Sequence, residues 1–214
     1  MCIAITGADR PMGATLCRKL ASDREIIPVG STEAPGHDLG NAGEYRQADL
    51  RIPSATREAV RGADAIVHAQ PHDPSCNDGP TGEQELLDLI SRGTFVVVNA
   101  ACEARIGRIV LISQITLMQD YPEDYLVDAH WRAHPKADSY SLAPYLAELV
   151  CREVARIGKI EAHCLRMGTL DAADGTTTED AAKAVEKALH GAGRVQGYGW
   201  QQDHVISGGR FAKR

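Results

Sequence analysis

Two glycines near the start of the chain have the spacing of a phosphate-binding turn. They belong to the segment TGADRPMG, residues 6–13, which follows a short apolar run and opens a stretch with apolar residues at helical spacing. In a strand, glycine turn and helix of this kind the backbone approaches a ligand closely, and the helix N-terminus favours negative charge. The predicted chemistry is binding of a dinucleotide pyrophosphate by Gly7, Arg10, Pro11, Met12 and Gly13.

This turn departs from the usual dinucleotide fingerprint, which carries three glycines, because Arg10 and Pro11 lie between the two present here. A purely structural explanation is also open. Gly7 would then be a strand-exit turn, and Gly13 would allow a close contact between helix and sheet. Both explanations predict the same local structure of strand, turn and helix.

The rest of the chain alternates strands and helices, a pattern typical of a parallel sheet covered on both faces. Strands are predicted at 2–6, 25–30, 46–48, 64–69, 108–113, 160–166 and 204–207. Helices are predicted at 12–22, 53–61, 81–105, 141–157 and 178–190, the last opened by a threonine-rich capping segment. The 214 residues therefore predict an α/β fold, a Rossmann-type doubly wound parallel sheet, in a single domain spanning 1–214.

Two long connections stand out, at 30–44 and 114–139. The second carries Tyr121, Tyr125 and Trp131, and a connection of this length in a compact domain is often a lid or a binding loop. Only residues 169–178 separate the sixth strand from the next helix. Residues 167–214 are therefore predicted to form a reduced substrate region, with space for a small polar substrate under the loop or for none.

Composition narrows the classes of partner. A net charge of −6 and a pI near 5.7, without a long basic run, argue against nucleic acid and anionic membranes. The absence of a leader or spanning segment predicts a cytoplasmic protein.

Six cysteines without C-x-x-C spacing predict reduced packing residues. The pairs His68 with His72 and His130 with His134 lie on no clear helix face, so no metal site is expected.

Further motifs follow the glycine turn in order: ADL at 48–50, DAIVHA at 64–69, RGT at 92–94, RIVLIS at 108–113, Tyr140 with Glu148, and LRMG at 165–168. Over nearly the whole chain they resemble the extended short-chain dehydrogenase/reductase superfamily, in its NAD-dependent epimerase/dehydratase branch. The segments HDLG at 37–40 and YRQADL at 45–50 are similar to those of uronate dehydrogenases. The resemblance implies an NAD(P)-dependent oxidoreductase or epimerase of sugar-like substrates.

The resemblance also implies which residues hold the dinucleotide beyond the glycine turn. In the family an acidic residue followed by leucine touches the adenine, and the fourth strand runs under the cofactor. Carried onto this chain, these positions and their neighbours are Ser31, Asp49, Leu50, Ala69, Gln70, Ser113 and Tyr140.

The catalytic positions of the family are altered in this chain. A lysine normally follows the tyrosine by four residues and lowers its pKa, but Tyr140 is followed by Pro144. With a free tyrosine pKa near ~10, only about one molecule in a thousand carries the phenolate at neutral pH, a loss of roughly 4 kcal/mol. Tyr140 is therefore either an impaired catalytic residue or a packed tyrosine at a helix start. With Ser141 as N-cap, Pro144 is expected in the first helical turn.

Two other catalytic positions differ as well. The family's serine or threonine aligns with Gln114, and its asparagine aligns near Ile90. Thr116 or Ser113 could supply a hydroxyl, Gln114 could donate a hydrogen bond, and Lys136 could approach the tyrosine from the loop. Enzymatic activity is therefore an open question, and a non-catalytic dinucleotide sensor acting through a partner is the alternative.

Cofactor choice depends on the end of the second strand, where an acidic residue would bind the adenosine ribose of NAD. The neutral residues Gly30, Ser31 and Thr32 stand there, and together with Arg10 they favour the 2′-phosphate of NADP. Glu33 keeps NAD possible. Apolar residues at helical spacing in 141–157 predict core packing, and a homodimer is expected through helices 81–105 and 141–157.

Overall fold

The computed structural model describes residues 1–69, 80–191 and 198–212. In these residues all strands pair in parallel within one sheet, in the order β3-β2-β1-β4-β5-β6-β7. The strands are β1 Cys2–Thr6, β2 Glu25–Gly30, β3 Arg46–Gln47, β4 Ala65–His68, β5 Arg108–Gln114, β6 Glu161–Met167 and β7 Trp200–Val205. The helices are α1 Pro11–Leu20, α2 Pro53–Ala59, α3 Pro80–Leu87, α4 Gly93–Glu103, α5 Ser139–Arg156 and α6 Thr178–His190. The predicted doubly wound parallel sheet is confirmed.

Helices cover the sheet on both faces, which explains the apolar runs within β1, β4 and β5. One core joins the sheet to α2, α4 and α5 and includes Val97, Ala147 and Cys151. The other core joins the opposite face to α1 and α6 and includes Leu16 and Val185. The strand order reverses between β1 and β4, and in open α/β sheets ligands bind beyond the carboxyl ends of the strands at such a point.

The helix predicted over 81–105 is divided in the structure. A π-helical turn, Asp88–Arg92, separates α3 from α4. A π turn inserts an extra residue and so rotates the helix that follows it. Periodicity did not predict this turn because residues 93–103 are apolar around most of the helix.

The last strand and the start of α5 differ from the sequence-based prediction. β7 covers Trp200–Val205 rather than 204–207, because its polar residues Gln201 to Asp203 pair with β6 despite their composition. α5 begins two residues before the predicted start, since the Asp138 carboxylate accepts a hydrogen bond of 2.8 Å from the backbone N–H of Ser141. Asp138 is therefore the N-cap, not Ser141, and Pro144 lies inside the helix rather than in its first turn.

The connection predicted as the loop 114–139 is partly ordered by packing. It begins with a 3₁₀ helix, Ile115–Met118, and its apolar residues form a third cluster with Ile206 and Phe211 near the C-terminus. Tyr121 stacks on His134 and meets Trp131 edge to face, with ring centroids 4.5 and 4.9 Å apart. The aromatic contacts order the connection internally, and the cluster with Ile206 and Phe211 attaches it to the residues after β7.

Candidate functional site

The predicted dinucleotide residues converge because the strands are parallel. Their carboxyl ends all lie at one edge of the sheet, so the segments that follow β1, β2, β3, β4 and β5 are neighbours there. Most of the predicted site residues belong to these segments. Gln70 lies outside the described residues.

The glycine turn after β1 has the geometry that a close ligand approach requires. Gly7 has φ of 70°, which favours glycine. A Cβ on Gly13 would stand 2.1 Å from the carbonyl oxygen of Gly7, so no side chain fits there. Arg10 is the extended N-cap of α1, and Pro11 is exposed at its first position. The first helical turn leaves backbone N–H groups without intrahelical partners, as pyrophosphate binding needs.

Three of the predicted cofactor residues have side chains that the structure buries. The side chains of Met12, Leu50 and Ala69 are all buried in the two cores beside the sheet. They pack the turns that carry them against the sheet, so any contact with a dinucleotide at these positions would come from the backbone.

The end of β2 carries a charge that the sequence analysis did not place there. The Asp9 carboxylate, from the glycine turn, accepts hydrogen bonds from the backbone N–H and hydroxyl of Ser31 at 2.9 and 2.7 Å. Although partial burial opposes it, the bonds from Ser31 lower the pKa of Asp9, so the carboxylate is ionised at neutral pH. The strand end treated as neutral therefore holds a negative charge.

The acidic residue after β3 is engaged by a neighbouring cation. Both oxygens of Asp49 accept hydrogen bonds from the Arg51 guanidinium at 2.8 to 3.2 Å. The hydrogen bonds from Arg51 lower the pKa of the Asp49 carboxyl. An adenine amino group at Asp49 would have to share an oxygen with this bidentate pair.

A buried histidine beneath the cleft was not assigned a role from the sequence. His68 at the end of β4 lies 2.7 Å from the Thr6 hydroxyl through Nδ1 and 2.9 Å from the Thr94 hydroxyl through Nε2. Since the Thr94 hydroxyl donates to the carbonyl of Ile90, it accepts from Nε2–H, and Nδ1 accepts from Thr6. This neutral tautomer ties β1, β4 and α4 together, and the π turn positions Thr94 for it.

Acidification is expected to destabilise the fold through two buried histidines. Burial lowers the pKa of His68 to about 4, and burial with the nearby Arg166 lowers that of His204 to about 4. Unfolded histidine has a pKa near ~6.5, so the unfolded state binds more protons between these values. The free energy of unfolding should fall as pH drops from about 6.5 to about 4, by roughly 3 kcal/mol per histidine.

Urea titrations at pH 7.5, 6, 5 and 4.5 measure this dependence. In His68→Gln the free energy of unfolding should fall less with each drop in pH than it does in the parent. The control His37→Gln, at an exposed histidine, should show the same pH dependence as the parent. An identical slope in the parent and His68→Gln would contradict the assignment of a neutral buried imidazole.

Ser113 belongs to a buried ionic network rather than to an open cleft. It is 3% exposed, and its hydroxyl donates to Glu148 Oε1 at 2.6 Å. Arg166 donates to both oxygens of the same carboxylate, from Nε at 2.8 Å and from Nη2 at 2.6 Å. Ser113 therefore fixes the end of β5 through α5 and β6, and its hydroxyl is committed to Glu148.

The candidate catalytic residues lie at the carboxyl end of β5 and at the start of α5. Gln114 is the last residue of β5, and the exposed Thr116 donates its hydroxyl to Gln114 Oε1 at 3.1 Å. The Tyr140 ring is partly buried against the core between the sheet and α5. Pro144 is buried one turn further along α5 and supplies no cation. The ammonium of Lys136 lies 3.6 Å from the Asp120 carboxylate.

Ile90, which aligns near the family asparagine, is a core residue. It is 4% exposed and packs in the cluster between the sheet, α4 and α5. An amide at this position would be buried among apolar side chains, at a cost of about 1–3 kcal/mol if unpaired. The family's asparagine function therefore has no counterpart at this side chain.

The predicted substrate region is closed on itself after β6. The backbone of residues 169–176 forms a compact turn. In it the Thr176 N–H donates to the Thr169 carbonyl at 3.2 Å, and the Asp171 N–H donates to the Thr176 carbonyl at 2.9 Å. Thr176 is fully buried and also accepts from the Gly168 N–H at 2.9 Å. Such a short closed connection provides little surface for a nucleotide-linked sugar.

A cavity of about 700 Å³ lies under residues 129–133, on the α5 face of the sheet. Its other walls are β7 residues 200–203, Arg166 and one side of α5, with Tyr145 and Arg152. Among the described residues that line it, Tyr140, Gln114 and Thr116 do not occur. The cavity is therefore separate from the candidate catalytic residues.

In ranges 1–69, 80–191 and 198–212, no three His, Cys, Asp or Glu side chains are grouped so that they could hold a metal ion. No helix in the described part of the chain combines the length and apolar character needed to span a bilayer.

Comparisons with known proteins agree with this geometry. The model of the NAD dependent epimerase/dehydratase family matches residues 3–204. L-arabinose 1-dehydrogenase (NAD(P)(+)) of Haloferax volcanii is 30% identical over 184 residues, covering 80% of this chain and 68% of the relative. Uronate dehydrogenase of Pseudomonas putida is 28% identical over 141 residues, covering 64% of this chain and 49% of the relative.

The fold is also that of a solved structure, uronate dehydrogenase from Agrobacterium tumefaciens. The two chains superpose with a TM-score of 0.78 at 20% identity, covering 96% of this chain and 76% of that chain. This chain spans about half the length of the Pseudomonas putida relative and about three quarters of the Agrobacterium tumefaciens chain.

Proposed function

Because the chain belongs to the NAD dependent epimerase/dehydratase family, we propose that it binds NAD or NADP and acts as an oxidoreductase on a small sugar-like substrate. The observation that carries the proposal is the glycine turn. Gly13 touches the Gly7 carbonyl so closely that only glycine fits, which brings the N-terminus of α1 up to the end of β1. This cradle fits a pyrophosphate, with Arg10 beside it.

The position of each residue in the cleft would determine its role in binding or proton transfer. A bound nicotinamide supplies hydride chemistry, and the chain must hold it and move a proton. Gly7 to Gly13 would hold the pyrophosphate, and the backbone at Ala69 and Ser113, whose side chains are buried, would lie at the floor of the cleft. Tyr140 would exchange a proton with the substrate oxygen, and Gln114 or Thr116 would orient that oxygen by hydrogen bonding. Gln70 and Asp49 remain proposed contacts of the dinucleotide.

Calorimetric titration with NAD, NADH, NADP and NADPH tests dinucleotide binding. The dinucleotide that binds most tightly is then soaked into crystals to locate its site. Arg10→Glu should weaken every binder at least tenfold, because it places a carboxylate beside the pyrophosphate. Arg18→Glu makes the same charge change at the exposed end of the same helix, and it should have little effect. Equal weakening by both variants, or no binding by the parent, would refute the proposed cleft.

A second candidate function is a non-catalytic dinucleotide sensor that acts through a partner. Pro144 favours it, since a buried proline cannot supply the positive charge that activates a tyrosine. A protein with micromolar dinucleotide affinity but no turnover on aldoses, uronates or simple alcohols would support this function over the first.

The same proposal extends to the domain organisation, oligomeric state and location of the protein. We treat residues 1–214 as one domain, with 114–139 over the substrate side and 167–214 as its reduced substrate region. A homodimer through 81–105 and 141–157 is supported by Phe95 of α4, which is 54% exposed. A cytoplasmic location is supported by the free thiols of the five cysteines that the structure describes.

A further inference from the structure

The tip of β2 and the glycine turn are joined by one carboxylate. Asp9 Oδ2 accepts from Ser31 N–H at 2.9 Å, Ser31 hydroxyl at 2.7 Å and Thr32 N–H at 3.2 Å. With the Thr32 hydroxyl at 3.4 Å, four donors on one oxygen fix the position of the carboxylate at the strand end. These bonds from Ser31 and Thr32 all reach Oδ2, which leaves Oδ1 for another donor.

The same carboxylate explains why the strand ends in glycine. A Cβ on Gly30 would stand 2.7 Å from Asp9 Cγ and 2.2 Å from the Tyr45 hydroxyl oxygen. The Tyr45 hydroxyl is in turn held by the Thr32 carbonyl at 2.9 Å. Gly30 has no positive φ, so its backbone would accept any residue. A side chain at Gly30 is therefore excluded by lack of space and not by backbone conformation, because Asp9 and Tyr45 fill the space that its Cβ would need.

An acidic side chain from the strand end would occupy this same space. In dinucleotide-binding folds such an acid accepts hydrogen bonds from the adenosine ribose hydroxyls, and its charge repels a 2′-phosphate. In this chain the strand ends in Gly30, which has no side chain, and the glycine turn supplies the carboxylate of Asp9 at this place. The negative charge therefore lies where such an acid would stand, although it comes from a different element.

We propose that Asp9 selects the cofactor, accepting hydrogen bonds from the adenosine ribose of NAD and excluding the 2′-phosphate of NADP. This inference rests on the proposed function, since it requires a dinucleotide in the cleft. It reverses the preference for NADP that neutral Gly30 and the cation of Arg10 indicate from the sequence. The parent protein should bind NAD at least tenfold more tightly than NADP.

The test compares two charge removals of equal size. Asp9→Asn keeps an oxygen that can accept from Ser31 and Thr32 but removes the negative charge. Glu33→Gln removes the charge of the exposed acidic residue three positions after Gly30. Dissociation constants for NAD and NADP are measured by calorimetry for both variants and the parent, with thermal melting to verify folding.

Asp9→Asn should lower the preference for NAD over NADP at least tenfold, chiefly by tighter NADP binding, and Glu33→Gln should change it less than twofold. Asp9→Ser should shift the preference in the same direction, and it replaces Asp9→Asn if that variant does not fold. An unchanged preference in the Asp9 variants, an equal shift in Glu33→Gln, or tighter NADP binding by the parent overturns the inference alone. Absence of binding of any dinucleotide to the folded parent overturns the proposed function and this inference together.

Discussion

The double variant Pro144→Lys with Gln114→Ser is expected to raise dehydrogenase turnover about 10²–10³-fold over the parent, the scale of general acid-base catalysis. Lysine would place a cation one helical turn from Tyr140 and stabilise its phenolate. Serine at the end of β5 would restore a hydroxyl to orient the substrate oxygen. The two changes are combined because groups that act as a unit are not additive, and one repair alone can show little.

Proline has a second effect that the control must separate from charge. Pro144 lies inside α5, so it has no N–H for the carbonyl four residues earlier. Pro144→Met with Gln114→Ser restores that N–H and a long side chain without a charge. It should become more stable than the parent but show no gain in turnover over the parent. NAD(P)H formation with uronates and aldoses, followed by absorbance, measures turnover in all variants.

Tyr140→Phe in the lysine variant should abolish the gain. Ile90 is left unchanged because it is buried in the core, where an asparagine would destabilise the fold. Fast hydride transfer by the parent that is lost in Tyr140→Phe would contradict an impaired site, and it would show that another group activates the tyrosine. Lys136 would then be the first residue to test, in spite of its ion pair with Asp120.

The sequence predicted the sheet well because its evidence is local. The apolar runs of β1, β4 and β5 and the glycine turn each lie within a few residues, and the structure places them as predicted. β7 was misplaced because Gln201 to Asp203 are polar, and their strand structure comes from pairing with β6. Periodicity reports burial and is insensitive to a strand whose residues are only partly buried.

The site was less predictable because its decisive contacts join residues distant in sequence. Asp9 meets Ser31 across 22 positions, and Thr6 meets His68 across 62. Residue type alone gives Asp9 as a solvated turn residue and His68 as one of eight histidines. Only the strand order brings β1 between β2 and β4, which makes both contacts possible. A signal existed for one of them, since a glycine at the end of β2 indicates that something fills the space of its side chain.

The buried pair of Glu148 and Arg166 should be the most sensitive point of the fold. Their side chains are 6% and 3% exposed, and each is the ion-pair partner of the other. Removing one partner leaves a buried charge, so Arg166→Met or Glu148→Gln should lower the free energy of unfolding by about 3–5 kcal/mol. Urea denaturation of each variant measures the loss.

The double variant Glu148→Gln with Arg166→Met distinguishes a buried ion pair from two independent packing residues. Because it removes both charges, it should cost clearly less than the sum of the two single losses, with a coupling of about 1–3 kcal/mol. Ser113→Ala removes a hydrogen bond to the same carboxylate but no charge, and it should cost only about 1 kcal/mol. Additive losses in the double variant would show that the two charges are already solvated. The end of β5, and with it Gln114, would then be positioned by apolar packing alone.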